Sequence, residues 1–483
     1  MRSKIIGRKD EQHLLDELYQ SKQAEFVVVY GRRRVGKTYL IREMYEGTFT
    51  FYHTALSPFD LLSDGELLYR QQLEVFGQSL REYGDYHSEA PKSWLEAFSW
   101  IRELLERQSR RKRLVVFLDE LPWMDTPRSG FAAAFEHFWN GWGAGQRNLM
   151  LIVCGSAASW INDKLINNTS GLYGRTTREI HLSPFTLNEC EQFFTSRKIE
   201  MDRYDLLQCY MVMGGIPYYL SYIEKGTSLA QNIDRLFFSK SGKLQLEFER
   251  LFKSLFSDAG KYIKIVQALS TRREGLTRKE IVEKTGITSG GGLTSILQSL
   301  EASDFIIKYV PYGGSSRDTH YKLIDLFTLF YMSFIESGDT MNQNFWQSNL
   351  HSASLNAWRG ISFEEVCYVH QTQIKKALGI SGVHAEIKPW RSKTADDHTQ
   401  IDMLIDRDDR IINLCEMKYS TGEFSIDKSY DAVLRGKIQS FLQQAPSRKA
   451  VHLTLITTYG LKPNKYSSRA QSVVTMDNLF EKA

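Results

Sequence analysis

The sequence predicts an α/β protein in three successive parts: a parallel sheet with helices, a module of short helices with a hairpin, and a second α/β sheet. Three observations carry this. A strand, a glycine-rich loop and a helix follow one another at "FVVVYGRRRVGKTYLI"; capped short helices fill the stretch after Lys261; and an α-β-β-β-α-β order starts near Asn356. At 483 residues the chain is long enough for about two to four domains. Its 42% hydrophobic and 24% charged content is that of a globular chain rather than a disordered or fibrous one. The net charge of +4 is too small, over this length, to argue by itself for a polyanionic partner. Five scattered cysteines without metal-ligand spacing read as reduced and buried, so a cytoplasmic location is expected. The N-terminus has no signal-peptide apolar core, and no run of about 18 apolar residues predicts a membrane span.

In the first part, the apolar strand Phe26 to Tyr30 runs into Gly31, Arg32, Arg33, Arg34, Val35, Gly36, Lys37, Thr38 and Tyr39. This is G-x-x-x-x-G-K-[ST] between a strand and a helix, the context a phosphate-binding loop requires. Its glycines free backbone N–H groups to wrap phosphates, and the helix start adds positive partial charge. Lys37 is expected to reach the β- and γ-phosphates of ATP, and Thr38 to ligate Mg2+. The apolar strand "LVVFLDE" ends in Asp119 and Glu120, as a buried parallel strand does when its tip faces a ligand. Asp119 is expected to hold Mg2+ through water, and Glu120 to polarise the attacking water. A third strand, "NLMLIVCGS", delivers Ser156 to the same edge. Arg175 follows in "LYGR", and helical periodicity runs from about Thr186 to Phe238.

On "IIGRKDEQHLL", "YGRRRVGKT", "FLDE", "CGSAASW", "LYGR" and "GGIPYYL", residues 5–240 resemble P-loop ATPases of the AAA+ and signal-transducing superclass. They resemble in particular the family typical of archaea and also found in bacteria. The resemblance implies an ATPase domain over 1–240 with a helical lid at about 186–240, to which Gly215 and Pro217 belong. It puts Ile6, Gly7 and Arg8 near the adenine, and makes Ser156 a polar sensor near the γ-phosphate. Arg175 is either a finger completing a neighbour's site, which requires a homo-oligomer, or a partner in an internal salt bridge.

The second part, 245–338, reads as a winged helix-turn-helix. "TRKEIVEKTG" opens with a capping box, Thr277 and Glu280, and closes at Gly286. Leu293, Ile296, Leu297 and Leu300 form one helical stripe, and two strands around Gly313-Gly314 make a wing. Between Gly291 and Ala302 there is no Lys or Arg, so only Thr294, Ser295 and Gln298 are left to read DNA. Basic residues stand instead at Arg272, Arg273, Arg278 and Lys279. A packing bridge between two domains is the competing reading. "LFTLFYMSFIESG" then continues as an apolar helix whose aromatics belong to a core, leading to a linker near Asp339 to Ala353.

The third part, 345–483, has the element order of a restriction-endonuclease-like core. In "QIDMLIDRDDRIINLCEMKYS" two strands surround a turn at Asp408 to Arg410, and strand alternation puts Leu414, Glu416 and Lys418 on one face. Buried charges need partners. Asp402, fourteen residues before Glu416, would share a hard divalent cation with it, beside a lysine that orients water. The region also resembles the PD-(D/E)xK nuclease-like domain found at the C-terminus of this ATPase family. That resemblance implies a further metal-ligating carboxylate, Glu364 of the "GISFE" stretch, with Glu365 able to substitute, and Lys418 as a catalytic residue. One departure is Ile401, where the motif has proline.

The expected function is therefore an ATPase whose nucleotide state controls a C-terminal Mg2+-dependent DNA endonuclease, with ATP and Mg2+ as cofactors and DNA as partner. The alternative is a non-nucleolytic switch or DNA-binding regulator, with the C-terminal domain as scaffold and a protein partner as its trigger.

Overall fold

The computed structural model describes the whole chain except residues 1–4, 59–64, 110, 157, 167–171, 173, 257, 337–341, 393, 395–396, 446 and 483. Part of the linker expected near Asp339 thus lies outside the described residues. The chain divides into two compact units. The first holds Met1–Pro184, Leu251–Ala259 and Ile296–Asp304, and the second holds Phe185–Arg250, Gly260–Ser295 and Phe305–Ala483.

The first unit is built on five strands: β1 (Glu25–Tyr30), β2 (Phe49–Thr54), β3 (Leu114–Asp119), β4 (Leu149–Gly155) and β5 (Arg178–His181). They lie side by side in the order β2-β3-β4-β1-β5, and every neighbouring pair is parallel. The "FVVVY", "LVVFL" and "LMLIVCG" runs are apolar because both faces of these strands are covered, as in a parallel α/β sheet. Phe26, Phe51, Trp94, Ile101, Phe131 and Phe135 pack the main core. Parallel pairing brings the last residues of β1, β3 and β4 to one edge, which is where ligands of such sheets bind.

The second unit has two sheets. In the smaller, β6 (Leu276–Thr277), β7 (Ile306–Tyr309) and β8 (His320–Leu323) are antiparallel in the order β6-β8-β7. Before β7 the expected capping box is formed: Thr277 Oγ1 accepts from Glu280 N, while Glu280 Oε2 accepts from Thr277 N at 2.8 Å. Gly286 closes that helix at φ 68°. Leu293 of this unit is buried and Thr294 and Ser295 are exposed; of the residues that belong to the first unit, Gln298 is exposed and Ile296, Leu297 and Leu300 are buried. Phe330 and Phe334 belong to a buried aromatic cluster with Trp346 and Trp358.

The larger sheet comprises β9 (Ala385–Arg391), β10 (Gln400–Arg407), β11 (Ile411–Lys418), β12 (Ala450–Thr457) and β13 (Ser472–Thr475), in the order β13-β12-β11-β10-β9. β9, β10 and β11 are antiparallel neighbours, whereas β11, β12 and β13 are parallel. The helix Lys428–Gln444 covers one face, with Leu434 and Phe441 in a core that also contains Ile412 and Leu414. The helical segment after Phe185 is sewn into this unit. Leu187 N donates to His370 Nε2 at 3.0 Å, Arg203 pairs with Asp477 at 2.8 Å, and Tyr204 stacks on Tyr419 and Tyr459. All five cysteines are buried and free. Among the described residues, no helix is long and apolar enough to cross a membrane.

Buried Asp234 joins two distant segments of the second unit, accepting from Trp346 N at 2.7 Å and from Gln347 N at 3.1 Å. Asp234→Ala leaves both donors unpaired. It is expected to cost about 2–3 kcal/mol, read as a lower urea midpoint for the transition that buries Trp346; an unchanged midpoint would show the contact to be dispensable.

Candidate functional site

Two constellations were expected from the sequence, one in each unit. In the first, β1 hands the chain to Gly31 at φ 132°, where an added Cβ would stand 2.4 Å from Leu182 O, so only glycine fits this turn. Gly36, at φ 96°, caps the helix Lys37–Tyr45. Between them Arg32 and Val35 are buried, Arg33 lies over the Trp123 ring at 5.6 Å, and Arg34 takes a left-handed φ of 74°. Tyr39 is half exposed on the following helix. Gly7 and Arg8 are both left-handed, and buried Arg8 donates to Ser183 O at 2.6 Å and Val35 O at 3.5 Å. The N-terminal segment is thereby fastened to the loop.

Lys37 Nζ donates to Gly31 O at 2.9 Å, Arg32 O at 3.0 Å and Ser156 Oγ at 3.1 Å. The ammonium thus sits in the mouth of its own loop, satisfied by carbonyls that phosphate oxygens can replace. Thr38 Oγ1 lies 3.0 and 3.1 Å from the two Asp119 oxygens. Burial raises the Asp119 pKa, partly offset by hydrogen bonds from Cys154 and Thr38 and by Lys37. A hydroxyl and a buried carboxylate side by side fit Mg2+, which takes few protein ligands beside phosphate oxygens. Glu120 accepts from Ser156 N at 3.0 Å and from Ser156 Oγ at 2.8 Å. The two residues expected near the γ-phosphate therefore hold each other. Arg175 is exposed, and its side chain makes no hydrogen bond or ion pair among the described residues. An internal salt bridge is not formed there.

Residues 6–223 match the family described as an ATPase domain predominantly from Archaea. The chain carries an archaeal-type ATPase domain. Over 401 residues it is 24% identical to an uncharacterized protein of Methanocaldococcus jannaschii, which covers 80% of this chain and 81% of that one. It is also similar to the Walker-type ATPase of Pyrococcus abyssi, at 19% identity and TM-score 0.46 over 69% of this chain and 97% of the other. The ORC2 protein of Aeropyrum pernix aligns over 72% and 96%, at 12% identity and TM-score 0.41.

The second constellation lies in an open cleft of about 770 Å³ lined by Glu364, Asp402, Glu416, Lys418, Lys437 and Arg273, among others. The face of β11 that carries Ile412 and Leu414 into the core carries Glu416 and Lys418 to its end. Met403 pairs with Cys415, so the same antiparallel register continued by one step sets Asp402 beside Glu416. Glu364 comes from the helix Ala353–Val369. Glu365, expected as its stand-in, is committed elsewhere: it is buried against Lys322 Nζ at 2.6 Å.

Two carboxylates of the cleft, Glu416 and Glu364, are paired with basic side chains. Glu416 accepts from Lys437 Nζ at 2.7 Å, Tyr430 Oη at 2.6 Å and Lys418 Nζ at 3.1 Å. Burial alone would raise its pKa, but Lys437, Lys418 and the Tyr430 hydroxyl together pull it below the ordinary value. Glu364 contacts Arg273, yet burial and the nearby Asp402 push its pKa up to about 7. Asp402 accepts from Gln400 Nε2 at 2.7 Å. The donor chemistry, three carboxylates on one cleft, fits a hard cation. Among the described residues, however, no group of three or more His, Cys, Asp or Glu side chains is placed to hold a metal ion.

Lys437 and Tyr430 were missed by sequence reasoning. Their spacing was a usable signal: Tyr430, Leu434, Lys437 and Phe441 form one inward stripe of the helix Lys428–Gln444. Arg273 offered no such signal toward this site, although its basic character was noted.

The raised Glu364 pKa makes a pH prediction. Its contribution to stability is full below the unfolded value near 4.5 and is lost as pH rises through about 7. Without divalent metal, Glu364→Gln should therefore melt close to wild type at pH 5 and above it at pH 8. A difference that does not grow with pH would contradict this burial-driven shift.

Proposed function

We propose that this protein is an ATPase whose nucleotide state controls a divalent-metal-dependent DNA nuclease in its C-terminal part. The reading takes 1–240 as the ATPase domain with its lid, 245–338 as a winged helix-turn-helix, and 345–483 as a PD-(D/E)xK-type domain. The observation that carries it is the convergence of Glu364, Asp402, Glu416 and Lys418, from three separate elements, on one open cleft.

In the ATPase site, Lys37 would exchange the Gly31 and Arg32 carbonyls for the β- and γ-phosphates. Thr38 and Asp119 would hold Mg2+, which neutralises charge developing on the transferred phosphoryl group. Glu120 would take the proton of the attacking water, its carboxylate oriented by the Ser156 N–H and hydroxyl. An exposed Arg175 without an internal partner is compatible with a finger offered to a neighbouring copy. In the cleft, Asp402, Glu416 and Glu364 would hold the cation. Lys418 would orient water and stabilise charge on the scissile phosphate.

The scaffold reading also has an observation in its favour: bases already pair with Glu364 and Glu416. The two readings part on separation of function. Asp402→Ala and Glu416→Ala are each expected to abolish Mg2+- or Mn2+-dependent DNA cleavage while ATP hydrolysis stays within about twofold of wild type, since the substitutions lie outside the ATPase site. DNA left intact by the wild-type protein with either metal would favour the scaffold.

For the ATPase, Lys37→Ala is expected to weaken ATP binding roughly tenfold to a hundredfold, the value of charge-assisted hydrogen bonds. Glu120→Gln should bind normally and lose about 10²–10⁴ in turnover. Equilibrium binding and phosphate-release assays read both, and parental turnover in Glu120→Gln would remove Glu120 from its assigned role.

A further inference from the structure

The turn between the helix Ala259–Ser270 and β6 is far from the cleft in sequence, yet one of its side chains lines it. Arg273 reaches Glu364 across 91 positions of the chain and pairs with it through Nη2. We propose that Arg273 is a tethered counter-cation that keeps the cleft closed to divalent cations, so that loading the site requires this guanidinium to leave Glu364. The proposal rests on reading the cleft as a metal site.

The turn is built to present this one side chain. Gly275 N donates to Arg272 O at 3.1 Å, closing the turn, and Gly275 adopts φ 78°. An added Cβ there would stand 2.2 Å from Tyr321 O, so the turn is seated directly on β8. The neighbouring Glu274 is held at both ends. Its carbonyl accepts from the Tyr309 hydroxyl, and its carboxylate pairs with Arg391 of β9 at 3.2 Å. Arg272 is occupied with Glu280, leaving Arg273 as the residue aimed at the carboxylates.

The pair is also one that can open. The Arg273 side chain is 45% exposed, so released it keeps its hydration, whereas Glu364 is 16% exposed and must find another positive charge. A second acceptor lies one residue on. Glu365 uses Oε1 for Lys322, but its Oε2 is buried with no hydrogen-bond partner among the described residues. Arg273 and Glu365 both line a second cavity of about 360 Å³, with Trp358 and Phe334. The guanidinium therefore has two alternative carboxylates, one in each cavity, and only the pairing with Glu364 blocks the cleft. A cation there neutralises Glu364 in place of Arg273, and the two positive charges exclude each other by repulsion.

Calorimetric titration of the full-length protein with MnCl2, without nucleotide, tests this, Asp402→Ala supplying the background of any other site. Arg273→Gln is expected to bind Mn2+ at the Asp402-dependent site at least about tenfold more tightly than wild type. Arg391→Ala, which keeps Arg273 but loosens its turn, is expected to fall between the two, and decides the matter if Arg273→Gln does not fold. Equal affinity in wild type and both variants, with binding still lost in Asp402→Ala, would overturn the latch and leave the metal site standing. No Asp402-dependent binding in any of them would overturn the metal reading, and the latch with it.

Discussion

Every functional feature of this molecule turns on the cost of keeping a carboxylate out of water. Desolvation disfavours the charged form by several kcal/mol unless a donor or a cation stands beside it. In the first unit, Asp119 meets this cost with Thr38, Cys154 and the nearby Lys37. In the second, Glu416 meets it with Lys437, Lys418 and Tyr430, Glu365 with Lys322, and Glu364 only in part with Arg273. The polar residues at the strand ends are there because each carboxylate dictates a partner.

The same constraint separates the two sites in character. At the nucleotide site the polar groups are neutral or shared: Lys37 is bound by backbone carbonyls, and Glu120 by a serine. Carbonyls and hydroxyls give way to phosphate oxygens without leaving a charge stranded, so the site is ready for its ligand. In the cleft Glu364 and Glu416 are held by full positive charges. A divalent cation entering there competes with bases rather than with dipoles, and loading it means rearranging them.

How much of this was legible in the sequence follows from how local each contact is. The strand, loop and helix around Lys37 form one continuous stretch, Glu25 to Tyr45, and their glycines are dictated by backbone angles, so motif and structure coincide. Strand alternation put Glu416 and Lys418 on one face, and their 3.1 Å contact bears that out. Tyr430 and Lys437 share a helical stripe, but the motif that carries Glu416 ends at Lys418, so only the fold joins them to it across 14 and 21 positions. The Arg273 pairing was not readable at all: it spans 91 residues and depends on the seating of a glycine turn on β8. Nor does local pattern reveal that the helices after Phe185 pack against the helix Ala353–Val369, since His370 at its end meets Leu187 across 183 positions.

The central claim is that nucleotide state governs the cleft, and its most direct test couples the two activities. Cleavage of supercoiled plasmid in Mn2+ should be followed with ATP held unhydrolysed by the Glu120→Gln protein and with the nucleotide site emptied by Lys37→Ala. Allosteric coupling of ordinary strength predicts rates that differ by about fivefold or more between these two states. Equal cleavage rates in both states, each abolished by a further Asp402→Ala substitution, would show a nuclease that the ATPase does not control and would contradict the account.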